Sequence, residues 1–214
     1  LTTYNLIAWR DTPLVTACRS LGLVFERKDL YGATILSFSP WIAFAAALVV
    51  TGVVAFLIGL PVLRLKGHYL AMATLGFGLI VYRIVLAARI FGQADGISNV
   101  PPFPLFDGLQ VNGRSAFRVE NYYIAWAVVL GAMALSIGLI HSRVGRALRS
   151  IHQNEEAAHS LGVNTYRYKL ATFVLSALFA ATGGALLTHY NGSIGPSEVT
   201  VMKSVRYVAI VAVG

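Results

Sequence analysis

Four stretches of the chain are apolar at nearly every position instead of along one face, at about residues 41–63, 68–86, 122–140 and 170–187. A bilayer core roughly 30 Å thick takes about 20 helical residues to cross, so an apolar run of this length predicts a membrane span. None of the four contains Asp or Glu. Trp41 opens the first, and Tyr122, Tyr123 and Trp126 open the third, where amphipathic rings anchor a helix at the headgroups. Pro61 predicts a kink at the end of the first span. In the second, Gly76 and Gly78 each cost about 1 kcal/mol of helix stability relative to Ala, tolerable where another backbone or a substrate comes close. Arg83 is expensive in mid-membrane and is expected near the end of that span, reaching for headgroups beside Arg89.

The segments between the spans differ in kind. Residues 1–39 are interrupted by Arg10, Asp11, Arg19, Glu26, Arg27, Lys28 and Asp29 and receive no assignment. Residues 92–121 hold Gly92, Gly96, Pro101, Pro102, Pro104, Gly108 and Gly113, a breaker density that predicts an extramembrane loop. In residues 141–169, Val144, Leu148, Ile151, Ala158 and Leu161 recur near helical spacing, with Arg143, Arg146 and Arg149 mostly off that stripe. Two short helices fit better than one: Asn154 caps the second, Glu155 and Glu156 lie in its first turn, and Gly162 ends it in a left-handed conformation. Asn164 or Thr165 then caps the fourth span. Beyond it, Asn191, Gly192, Gly195 and Pro196 predict a loop. Lys203 and Arg206, inside the next apolar stretch, favour a short re-entrant or interfacial helix from Val201 over a simple crossing.

Composition agrees with lipid as solvent: 57% of residues are hydrophobic and 12% charged, against roughly 25% charged in soluble domains. The net charge of +8 does not point to nucleic acid, because the basic residues flank the apolar runs. Arg64 and Lys66 before the second span, and Arg143, Arg146, Arg149, Arg167 and Lys169 before the fourth, predict that 64–67 and 141–169 face the cytoplasm. Residues 92–121, where Arg114 and Arg118 are offset by Asp95, Asp107 and Glu120, face outward. Cys18 is the only cysteine, so no internal disulfide or thiolate metal site is expected. Leu1 in place of Met, and Gly214 within an apolar run, predict a piece of a longer chain, cut at both ends. The expected fold is all-α, a polytopic transmembrane helical bundle. Residues 1–39 are unassigned, and 40–214 form the membrane domain with a cytoplasmic segment at 141–169.

Candidate chemistry is sparse. Ser176, Ala180 and Gly184 form one small-residue row in the fourth span, and Ala177, Ala181 and Ala185 the adjacent one. Such rows let helices approach closely in lipid; ordinary packing within the chain is the first expectation, and a pathway or partner-facing surface the second. His68, His141 and His189 sit at span boundaries without ligand spacing and are expected as interfacial residues, not metal ligands. The Asn191-Gly192-Ser193 acceptor pattern is common by chance. No phosphate-binding loop, zinc-protease motif or nucleophile elbow occurs, and no cofactor is implied. A membrane-embedded enzyme or a secondary transporter would be expected to carry an intramembrane carboxylate or His pair, which the four spans lack.

Glu156-Ala157-Ala158, followed after three residues by Gly162, is similar to the coupling loop of ABC importer permeases, the element that inserts into a groove of the ATPase subunit. Residues 63–78, reading LRLKGHYLAMATLGFG, resemble the matching segment of LivM-type branched-chain amino acid permeases. So do 143–148 with Asn154-Glu155, and 167–170; Gly96-Ile97 and Val100-Pro101 suit that family's outer loop. Together the resemblance covers roughly residues 55–214, with Leu79 standing where many relatives carry Glu. It implies a non-catalytic permease subunit importing branched-chain amino acids across the bacterial inner membrane by alternating access. The implied partners are a second permease, two ATP-binding cassette ATPase subunits, a periplasmic or extracellular substrate-binding protein and membrane lipid. Glu156, Ala157, Ala158 and Gly162 would couple to the ATPase; Thr74, Gly76, Gly78, Ala180 and Gly184 are candidates for pathway or helix contact. A urea or short-amide permease shares the same architecture.

Overall fold

A computed structural model describes residues 24–28, 34–65, 68–88, 95–98, 100–106, 109–195, 198 and 200–213. Cys18, Lys66, Gly67, Pro196 and most of the unassigned first 39 residues lie outside the described residues. The first described element is an antiparallel ribbon of β1 (Val24–Lys28) and β2 (Thr34–Phe38), pairing Val24 with Phe38 and Lys28 with Thr34.

Helix α1 (Pro40–Val62) realises the first expected span. Pro40 at its first turn costs no hydrogen bond. Pro61 sits in the last turn, and the helix ends one residue later as the Leu63 amide donates to the Gly59 carbonyl at 3.1 Å. Helix α2 (His68–Ala87) realises the second: its 20 residues rise about 30 Å, although its apolar part is the shorter run Met72–Ala87. Arg83 is exposed one turn before its end, as expected of a snorkelling residue.

The breaker-rich loop folds into short ribbons. Strand β3 (Ile97–Ser98) is one of these, and β4 (Phe103–Phe106) pairs with β5 (Leu109–Val111). A single 3-10 turn, Ser115–Phe117, leads into α3 (Arg118–His141), which starts four residues before the expected Tyr122. Helices α4 (Arg143–Gln153) and α5 (Glu155–Ser160) precede α6 (Thr165–Asn191), the fourth expected span. Strand β6 (Ser193–Ile194) pairs with β3, and α7 (Val201–Val213) packs against α2.

Among the described residues, α1, the 3-10/α3 stretch Ser115–His141, and α6 are long and apolar enough to cross a membrane. Their surfaces confirm the solvent: Val49, Val53 and Leu57 on α1, and Val129, Leu130, Met133 and Leu135 on α3, all face outward. A water-soluble monomer rarely leaves apolar area of that extent uncovered.

The core is the antiparallel pair α1–α6. Ala55, Gly59 and Val62 of α1 are buried, one turn apart, and take the larger side chains of α6. A Cβ at Gly59 would lie 2.6 Å from Leu170 Cδ1 and 3.2 Å from Phe173 Cδ1, so glycine lets these side chains pack directly on the α1 backbone. The small seam of this pair is therefore on α1. The row Ser176, Ala180, Gly184 on α6, expected to pack within the chain, is exposed, because α6 turns its Leu170–Phe173 side to α1.

Both ends of the pair are tied. At one, the Tyr166 hydroxyl donates to the Leu60 carbonyl at 2.8 Å, and the Arg64 guanidinium lies over the Tyr166 ring at 5.9 Å. At the other, Phe103 is 2% exposed, its ring 4.9 Å from Trp41, 5.8 Å from Phe44 and 5.2 Å from His189. Arg64 and the start of α6 thus share one end of the pair, and Phe103 of the breaker-rich loop lies at the opposite one. His189 departs from the interfacial expectation: it is buried, with Nδ1 2.7 Å from the Pro101 carbonyl. An imidazole can be buried there because Pro101 satisfies one ring nitrogen and Phe103 covers the ring edge. His141 is exposed as expected.

Candidate coupling site

The arginine-bearing end of the bundle is built from three linked helix termini. Helix α3 stops at His141, and its last carbonyls find local donors: His141 Nδ1 lies 2.9 Å from Ile137, the Ser142 hydroxyl donates to Leu139 at 2.6 Å, and Arg149 Nη2 donates to Ile140 at 2.9 Å. These satisfy groups that a helix end leaves open. Ser142 also caps α4, its Oγ accepting from the amides of Val144 at 3.2 Å and Gly145 at 3.4 Å. The corner is tight because Gly145 packs its backbone on the Ile140 carbonyl, where any Cβ would collide.

Asn154 breaks the chain between α4 and α5 with an extended backbone, φ −155° and ψ 111°. Its Oδ1 accepts from the amides of Glu156 and Ala157, both at 3.0 Å, realising the predicted cap. Glu155 and Glu156 fill the first turn, on the electropositive end of the helix dipole. The C-terminus closes as a Schellman motif: the Gly162 amide donates to His159 at 3.0 Å and the Val163 amide to Ala158 at 3.1 Å. Gly162 has φ +83°, the left-handed conformation read from the sequence. Asn164 then caps α6, accepting from Arg167 N at 3.2 Å. An ion pair of 2.6 Å from Lys169 Nζ to Glu155 Oε2 ties the start of α5 to the first turn of α6.

The four coupling residues fall in one compact turn with different exposures. Ala158 is 2% exposed and seats α5 on the bundle, while Glu156, Ala157 and Gly162 are exposed. Val144, Leu148 and Ile151 turn inward as the stripe predicted, but Leu161 does not: it is 82% exposed. The period of an amphipathic helix does not carry across an extended residue, and Asn154 resets the phase. The outward edge of α5 therefore presents Glu156, Ala157 and Leu161 together, with Leu161 exposed where the sequence stripe places it inward.

The helix-contact candidates are not brought together. Thr74, Gly76 and Gly78 lie on α2, and Ala180 and Gly184 on α6. At Gly76, Gly78 and Gly184 a Cβ would meet no described atom within 4 Å, so no described group packs closely on them. Among the described residues the close glycine approaches between helices are at Gly59 and Gly145, with Gly96 against Ile194 and Gly113 against Tyr190 at the loop end; the Gly52–Ala55–Gly59 spacing is the sequence signal for the first. No cluster of metal-ligating side chains occurs among the described residues.

Over residues 14–214 the chain matches the family described as branched-chain amino acid transport system / permease component. It is similar to the high-affinity branched-chain amino acid transport system permease protein LivM of Salmonella typhimurium, 34% identical over 194 residues, which are 81% of this chain and 45% of that protein. LivM of Escherichia coli is 33% identical over the same shares. LivH of Escherichia coli, a permease protein named for the same kind of system, is 37% identical over 107 residues, 48% of this chain and 35% of that protein. The chain spans less than half the length of these relatives. No solved structure matches it.

Proposed function

Because the chain belongs to the branched-chain amino acid transport system permease family, we propose that it is the core of a permease subunit importing branched-chain amino acids by ATP-driven alternating access. In this reading the subunit sits in a bacterial inner membrane with 64–67 and 141–169 toward the cytoplasm. It pairs with a second, related permease, docks two ATP-binding cassette ATPases and receives substrate from an external binding protein. ATP is hydrolysed on the ATPase chains. The similarity to both LivM and LivH supports a pair of related permeases.

The observation that carries the proposal is the outward edge of α5 on a helix fixed to two spans. A push on Glu156, Ala157 and Leu161 reaches α6 through the Glu155–Lys169 ion pair and the buried Ala158. It reaches α3 through α4, whose Arg149 and Gly145 are locked on the Ile140 carbonyl. A short lever held on two long helices moves them as rigid bodies instead of dissipating the push in a loop. Gly76, Gly78 and Gly184, on which no described atom packs within 4 Å of a Cβ position, are proposed together with Thr74 and Ala180 to face the second permease or the pathway.

Uptake of labelled leucine by cells carrying the full-length protein and its partners tests this reading. Glu156→Lys is expected to lower uptake about tenfold or more, the factor carried by one interface contact of about 1.4 kcal/mol, with membrane insertion unchanged. Full uptake by that variant would remove the coupling role. Uptake of urea with no competition from leucine, isoleucine or valine would replace the substrate.

A further inference from the structure

A groove of about 480 Å³ lies between α3 and α6, with Val111 of β5 also in its lining. Its floor is aliphatic: Ile124 and Val128 from α3, Gly183 and Leu186 from α6. Its mouth is polar, with Arg118, Tyr122 and Tyr190. Asn121 also lines it but is committed, its Nδ2 donating to the Asn112 carbonyl at 2.6 Å and its Oδ1 accepting the Asn112 amide at 3.3 Å. Arg118 is exposed and pairs with no carboxylate among the described residues. Glu120 lies about 200° around the helix from it and so faces elsewhere.

We propose that this groove is a binding site for an anionic phospholipid, with one acyl chain along the α3–α6 floor and the phosphate on Arg118. Three features favour that occupant. The groove is lined by two helices long and apolar enough to cross a membrane, where lipid is the available ligand. Its polar groups are confined to the level of Tyr122 and Tyr190, the position of interfacial aromatic residues. The one charged side chain lining the groove is Arg118, and a guanidinium beside the phosphate favours a headgroup of net negative charge over a zwitterionic one. The inference rests on the membrane embedding alone and is independent of which solute is carried.

The test uses the full-length permease with its partners, purified from membranes and exchanged into equal phosphatidylglycerol and phosphatidylethanolamine, with retained lipid counted by native mass spectrometry. The wild type is expected to hold phosphatidylglycerol in preference. Arg118→Gln is expected to cut that preference about fivefold, the factor carried by one basic residue at an anionic surface. At Gly183, which lines the groove, a Cβ meets no described atom within 4 Å, so Gly183→Leu places its side chain in the groove and is expected to release the lipid. Equal retention of the two lipids by the wild type, or unchanged retention in Gly183→Leu, would overturn the site. So would a photoreactive side chain at Ala125, which also lines the groove, capturing a peptide of the permease or its partner in place of lipid.

Discussion

Removing the two devices that terminate α5 should disconnect the lever without unfolding the bundle. Helix α5 has six residues, far below the length at which a helix holds itself in water, so its ends and its docking decide whether it exists. Asn154→Ala deletes a side chain that accepts two amide hydrogen bonds of 3.0 Å, a loss of about 1 kcal/mol. Gly162→Ala forces a Cβ into φ +83° and costs about another 1 kcal/mol. What remains is the buried Ala158 and the Glu155–Lys169 pair, both of whose side chains are more than a third exposed and which contributes at most about 1 kcal/mol. The double variant therefore loses about 2 kcal/mol, shifting the seated and frayed populations of α5 by a factor of roughly 30. Leucine uptake and copurification of the ATPase with the full-length protein should fall together. Each single variant should fall by roughly fivefold, and the yield of inserted protein should not change. Wild-type uptake in the double variant would refute the argument that α5 must be preformed to act.

Two further perturbations address the ends of the bundle. Phe103→Ala empties the site enclosed by Trp41, Phe44 and His189 and should destabilise the loop end by about 3–5 kcal/mol, read as faster proteolysis at Arg114 and Arg118 and a lower detergent melting temperature. Gly145→Ala places a Cβ against the Ile140 carbonyl oxygen, a backbone atom that cannot step aside. It should open the α3–α4 corner and lower uptake more than the neighbouring exposed change Arg146→Gln, measured side by side at equal expression.

Much of this arrangement was legible because membranes and helix ends both write local signals. The spans follow from unbroken apolar runs, and the caps at Asn154, Asn164 and Gly162 follow from residue types that do one thing well at a helix terminus. Long-range geometry was not legible. The row at Ser176, Ala180 and Gly184 and the seam at Gly52, Ala55 and Gly59 carry equivalent small-residue signals, and only the partner helix decides which is used. His189 looked interfacial because the sequence does not reveal that a loop 88 residues earlier folds back to supply the Pro101 carbonyl. Helical periodicity places Leu161 inward only if it runs unbroken through Asn154, whose extended backbone resets the phase. The β1–β2 ribbon gave no usable alternation: five residues per strand is too short a pattern when three of the first five are charged.

The outward edge of α5 is the point on which the account turns, and cross-linking reads it directly. A photoreactive side chain at Leu161 in the full-length protein, illuminated in intact membranes with its partners present, should capture the ATPase subunit, while the same group at Leu135, on the apolar flank of α3, should not. Capture of lipid alone from Leu161, or its labelling by a membrane-impermeant reagent added outside intact cells, would contradict the account.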